Sequence, residues 1–165
     1  MPKVKRIGCE FFGSDSSNGV ETSFPKLETL DFGSMDNLEE CDLNTKDVMP
    51  RLKHLAVRDC PMLKRIILAL GNLEFLETFM FWGLNEWEDW EMMIWKEITI
   101  MPCLLELSLD KCYKLKSVPE CSTIKKLTIR YCPKLTQSCL PPLLETLELL
   151  CDASDLLKEM LANNG

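Results

Sequence analysis

Nine cysteines and one histidine, His54, are the residues of this 165-residue chain best suited to metal or nucleophilic chemistry. The later cysteines are spaced 9 (Cys112 to Cys121), 11 (to Cys132) and 7 (to Cys139), and the chain has no C-x-x-C pair of the kind a zinc site uses. A single imidazole removes schemes that need two, and no nucleophile stands in a recognisable arrangement with a base. No G-x-x-x-x-G-K-[ST] loop is present to cradle a phosphate. The expectation is therefore a non-enzymatic chain with no catalytic residue, no metal and no cofactor. An odd number of cysteines without a secretory core in residues 1–13 fits reduced, buriable thiols and a cytoplasmic or nuclear setting. The net charge of −7 argues against nucleic acid and anionic membranes as partners. The apolar run Ile66 to Leu70 is far short of a membrane span.

The elements that must carry any function emerge from self-similarity. Phe24-Pro-Lys-Leu27-Glu-Thr-Leu30-Asp-Phe32 is echoed by Met49-Pro-Arg-Leu52-Lys-His-Leu55-Ala-Val57 and by Met101-Pro-Cys-Leu104-Leu-Glu-Leu107-Ser-Leu109. Leu76, Ile124 and Leu144 open three more copies, and Val4-Lys-Arg-Ile7-Gly-Cys9 is an earlier, partial one. The first apolar positions (4, 27, 52, 76, 104, 124, 144) are separated by 23, 25, 24, 28, 20 and 20 residues. Template and steps match a leucine-rich repeat, L-x-x-L-x-L-x-x-C-x-x-L. The predicted fold is an α/β solenoid: a leucine-rich-repeat horseshoe with a short-stranded parallel sheet on its concave face, irregular convex loops and a C-terminal capping helix. One domain over 1–165 is expected, with a partial repeat at 1–23, about six repeats from 24 to 151 and a helix at about 153–163.

Within each copy the apolar-x-apolar alternation predicts a strand with one buried face, and stacking is what buries it. Cys60, Cys112 and Cys132 share one template position, where a turn follows the strand. A small weak donor there can satisfy inward-facing backbone groups, so these are read as structural turn cysteines. Solvent-facing residues after the second strand apolar form a predicted column, Gly33, Arg58, Trp82, Asp110, Arg130 and Leu150, beside a second, Ser34, Asp59, Gly83, Lys111, Tyr131 and Cys151. Arg58, Trp82, Arg130 and Tyr131 are the expected partner anchors, with His54, Asp110 and Lys111 at their rim. The plainer reading is that the cations solubilise the face and Trp82 packs under a loop.

Four irregular features complete the expectations. The polar stretch Gly13 to Ser23 reads as a linker. The longest step contains Trp87 to Thr99, the expected site of the largest protruding loop, where Trp87 fills a core place and Trp90 and Trp95 stand among acids. Exposed aromatics there would suit a basic partner or another domain, while packing onto the convex side serves equally. Leu156, Leu157, Met160 and Leu161 lie at helical spacing within Asp152 to Asn163, as a cap over the last strand requires. Val4 and Ile7 are expected in core positions, as though the chain opened inside a repeat of something longer.

The stretches Phe24-Pro-Lys-Leu-Glu-Thr-Leu, Met49 to Lys64 (with Asp-Cys-Pro-Met-Leu-Lys) and Leu127-Thr-Ile-Arg-Tyr-Cys-Pro-Lys-Leu resemble the C-terminal repeats of plant disease-resistance proteins. The nearest likeness is to the coiled-coil class of nucleotide-binding leucine-rich-repeat immune receptors. Val4 to Gly13 resembles the segment before the last repeats of that class, and Trp87-Glu-Asp-Trp-Glu91 its Trp/acidic loop. The resemblance implies a protein-recognition module of innate immunity. Its partners would be a pathogen effector, a guarded host protein or other domains of the same receptor. The competing binding-class reading is a substrate adaptor of a ubiquitin ligase or a general protein-interaction scaffold, although no F-box-like helical segment precedes the repeats.

Overall fold

The computed structural model describes residues 4–8, 11, 24–43, 49–68, 73–89, 91–92, 101–118, 121–136, 140–150 and 162. Ten strands run through them in two parallel sheets. The larger holds β2 (Thr29–Gly33), β4 (His54–Arg58), β6 (Thr78–Trp82), β8 (Glu106–Asp110), β9 (Lys126–Arg130) and β10 (Thr146–Leu150), side by side in chain order. The smaller holds β1 (Arg6–Ile7), β3 (Glu40–Leu43), β5 (Arg65–Leu68) and β7 (Glu91–Met92). From Thr29 to Met92 the chain visits the two sheets alternately, and each circuit lays its strands beside those of the circuit before.

Prolines set the corners. Pro25, Pro50, Pro61, Pro102, Pro133 and Pro142 all occupy the second position of a four-residue turn closed by a backbone hydrogen bond of 3.0–3.3 Å. The ring fixes φ near the value that position needs, and no third-position residue has a positive φ, so these turns are type I. The turn ending at Leu27, Leu52, Leu104 or Leu144 leads into a larger-sheet strand. The turn ending at Leu63 or Leu135 leads away from one. A second device ends the larger-sheet strands: Ser34, Asp59, Gly83, Lys111 and Tyr131 all have φ between 50° and 70°. These left-handed residues swing the chain off the sheet without breaking its ladder, since Asp59 N still donates to Trp82 O (2.8 Å) and Lys111 N to Arg130 O (2.9 Å).

The core lies between the sheets. Leu55, Val57, Phe79, Phe81, Leu107, Leu109, Leu127 and Ile129, the inward residues of β4, β6, β8 and β9, are all buried, whereas Leu30 on β2 and Leu147 and Leu149 on β10 are partly so. Ile7, Cys41 and Ile66 line up on the smaller one. Trp87 is fully buried with its ring 4.7 Å from that of Phe81. Fully burying one such large side chain contributes about 1.5–3 kcal/mol, so no single circuit could hold this geometry alone.

Two expectations are corrected here. The side opposite the larger sheet is partly a regular sheet, where irregular loops were expected, and Glu91–Met92, inside the predicted protruding loop, is its fourth strand. Charge explains part of its regularity. Lys5, Glu39 and Lys64 follow one another down successive circuits, as do Arg6, Glu40 and Arg65, and Glu88 is followed by Lys116. The pairs Lys5–Glu39 (2.9 Å), Lys64–Glu39 (3.8 Å), Arg6–Glu40 (3.4 Å), Arg65–Glu40 (3.6 Å) and Lys116–Glu88 (2.8 Å) link neighbours of opposite sign. Secondly, Val4 is 42% exposed although Ile7 is buried, and Arg6–Ile7 pairs with Glu40–Cys41 on the smaller sheet. The apolar-x-x-apolar spacing occurs twice per circuit, and Val4-Lys-Arg-Ile7 corresponds in register to Leu38-Glu-Glu-Cys41, the second occurrence rather than the first. The predicted linker at 13–23, Trp90, Trp95 and, apart from Ala162, the predicted helix at 153–163 lie outside the described residues.

Candidate functional site

Five-residue strands with two inward apolars leave three outward positions each, and the parallel register aligns these into three columns. The first is Thr29, His54, Thr78, Glu106, Lys126 and Thr146; the second Asp31, Ala56, Met80, Ser108, Thr128 and Glu148; the third Gly33, Arg58, Trp82, Asp110, Arg130 and Leu150. The columns share one open face, which holds a groove of about 390 Å³ bordered by Asp31, His54, Ala56, Met80, Ser108 and Thr128, among others.

The candidate anchors distribute over this face unevenly. Arg58, Trp82, Asp110 and Arg130 fall in the third column, on four consecutive strands. Lys111 and Tyr131 stand one residue beyond their strands at the left-handed corner (φ 54° and 51°), on the margin of the face. His54 begins its strand, roughly 13 Å along β4 from Arg58 at ~3.3 Å per residue. Its Nδ1 lies 2.7 Å from Thr78 Oγ1. Lys111 Nζ sits 5.4 Å above the Trp82 ring centre, a cation–π contact between neighbouring circuits.

The middle column was missed in reading the sequence, and it supplies the partners of the two arginine anchors. Arg58 donates to both oxygens of Asp31, with Nε at 3.1 Å from Oδ1. Glu148 takes Lys126 (3.6 Å) and Arg130 (3.7 Å), and Thr128 donates to it at 3.4 Å. Strict alternation was the available signal: a residue flanked by two buried apolars of a strand must point outward. Met80, in the same column, is 47% exposed at the middle of the groove.

The turn cysteines are built alike. Cys60, Cys112 and Cys132 are fully buried, and each thiol points at the carbonyl two residues earlier: Arg58 O (3.3 Å), Asp110 O (3.6 Å) and Arg130 O (3.2 Å). Burial pushes the Cys60 thiol up, Cys121 up to about 11 and Cys41 up to about 12. The Cys132 side chain and burial together raise that of Cys112. The hydrogen bond with Cys112 lowers that of Cys132 instead, and it is the raised thiols, held protonated, that are poor nucleophiles and poor metal ligands at neutral pH. Among the described residues, no three or more His, Cys, Asp or Glu side chains stand together so as to hold a metal ion. No helix there is long and apolar enough to cross a membrane, which says nothing of crossing by strands.

What this geometry offers chemically is an extended array of ion pairs, hydroxyls and aromatics on a rigid sheet. A stretch of 101 residues, 61% of the chain, is 35% identical to the probable disease resistance protein RF9 of Arabidopsis thaliana. The chain is thus similar to a plant disease resistance protein. The matched stretch amounts to 9% of that relative's length. No family model matches the chain, and no solved structure does.

Proposed function

We propose that this chain is a leucine-rich-repeat recognition segment of a plant immune receptor of the coiled-coil, nucleotide-binding class. In this reading the open face is the concave side of a horseshoe, capped beyond β10 by the helix expected at 153–163. It acts in the cytoplasm without catalysis. It binds a pathogen effector or a guarded host protein, restrains the nucleotide-binding part of a longer receptor, or does both. The observation that carries the reading is the register of the larger sheet. Six strands hold their outward residues in unbroken columns, so a partner meets a fixed array of side chains whose identity changes from circuit to circuit. Likeness to a disease resistance protein supplies the biological setting.

A photo-crosslinking amino acid placed at position 80 on the open face, and separately at position 64 on the other side, tests this in plant tissue. Adducts from position 80 with a microbial effector, a host protein that it targets or a nucleotide-binding domain are expected, with none from position 64. Adducts confined to position 64 would overturn the assignment of the face. Adducts with ubiquitin-ligase subunits would favour an adaptor.

A further inference from the structure

Resting on the proposal that the open face receives a protein, we infer that β6 and β8 form its centre and take an extended segment carrying two basic side chains with an apolar one between them. The inference follows from which charges on the face are already spent. Four acids stand in the three columns: Asp31, Glu106, Asp110 and Glu148. Asp31 is held by Arg58, and Glu148 by Lys126 and Arg130. Among the described residues, Glu106 and Asp110 are without an ion pair or a side-chain hydrogen bond, whereas Arg58, Lys126 and Arg130 each stand in an ion pair and Lys111 lies over Trp82. Asp110 Oδ1 is buried without a hydrogen-bond partner among the described residues, as is Nε of Arg130 across the ladder. The charge left unanswered on this face is therefore negative, and it belongs to one strand.

Spacing gives the shape of the occupant. Glu106 and Asp110 open and close β8 on the same side, about 13 Å apart at ~3.3 Å per residue. Between them lies Ser108, and across the ladder from Ser108 is Met80, exposed in the groove. An extended polypeptide lying along β8 repeats that distance between its own residues i and i+4. Lysine or arginine at those two places would meet Glu106 and Asp110, and an apolar residue at i+2 would rest on Met80, whose flexible thioether adapts to varied shapes. The chain's overall charge of −7 draws such a partner in and repels an acidic one.

The test uses the whole chain labelled with carbon-13 at its methionine methyl groups, the Met80 signal being assigned with Met80→Leu. The probes are two blocked pentapeptides, Arg-Gly-Leu-Gly-Arg and its charge-reversed form Glu-Gly-Leu-Gly-Glu. The basic peptide should shift the Met80 methyl saturably, and the acidic one should leave it unmoved. The isosteric double variant Glu106→Gln with Asp110→Asn should weaken binding about ten-fold or more, as loss of two charge-assisted contacts requires. Glu106→Gln alone, at an exposed position, serves as the second variant should the double one not fold. Equal shifts from both peptides, an unmoved Met80 methyl, or unchanged affinity in the variants would overturn the inference. A Met80 shift from the acidic peptide would do so while leaving protein recognition by this face intact. Absence of crosslinks from position 80 in tissue removes the face itself.

Discussion

Gly83 packs over Asp59 so closely that a β-carbon on it would stand 3.1 Å from Asp59 Oδ1 and 3.4 Å from both Asp59 Cα and N. The two residues hold equivalent left-handed corners on adjacent circuits, and of the five corners only this one is glycine. Gly83→Ala should therefore destabilise the fold by about 1–2 kcal/mol, combining the cost of a left-handed alanine with the close contact. Ser34→Gly, at a corner with φ 56°, should leave stability unchanged or raise it by up to ~1 kcal/mol. Urea titrations of both variants check the opposite signs.

The Arg58–Asp31 fork is about half exposed on both sides. A double-mutant cycle with Arg58→Ala and Asp31→Ala should give a coupling of about 0.5–1 kcal/mol, shrinking when salt is raised toward 1 M. A coupling indistinguishable from zero at low salt would show the pair to be ornamental to folding.

Cys41 should resist iodoacetamide at pH 8 in the folded protein and react only on unfolding, while the exposed Cys103 is labelled at once. The same burial gives an alkaline limit. A thiol raised from 9.0 to about 12 by folding stabilises the folded state fully below pH 9. Above that pH the unfolded chain loses its proton first, so stability falls as pH climbs toward 12. Melting temperature should drop between pH 9 and 11, and less steeply in Cys41→Ala than in the parent.

On the opposite side, Glu39 is held below the usual carboxylate range by its hydrogen bond and charge contact with Lys5, and then by Lys64. Glu88 is held down by Lys116 in the same way. Both contribute stability that is present above their unfolded pKa near 4.5 and fades as pH falls through the lower folded values. Carbon-detected titration should place both carboxyls below the free-peptide range. Charge reversal, Glu39→Lys, should lower the melting temperature at neutral pH, and added salt should recover part of the loss.

The strands of the larger sheet were legible because alternation with period 2 recurs at the same place in every copy, from Leu30 and Phe32 to Leu147 and Leu149. Register followed from that recurrence, so the column from Gly33 to Leu150 could be written down beforehand. The smaller sheet was harder to see. Its strands are as short as Arg6–Ile7, and its regularity lies in residues about 25 apart, Glu39 against Lys64, where a local window finds only mixed polar sequence. Asp31 and Glu148 were passed over for a related reason. Each looks like an ordinary surface acid until the neighbouring circuit brings Arg58 or Arg130 beside it. The left-handed corners carry five different residue types (Ser, Asp, Gly, Lys, Tyr), so no composition signal marks them.

The alternation of sign down the smaller sheet limits how such a chain can vary by unequal recombination. Duplicating one circuit places like charges side by side at the junction, acid on acid or base on base. Duplicating two adjacent circuits restores the sequence of signs and leaves every older pairing in place. On this side of the structure, growth or shrinkage by even numbers of circuits is electrostatically silent, and by odd numbers it is not. Relatives that differ by one circuit should therefore carry a compensating neutral or reversed residue at the seam.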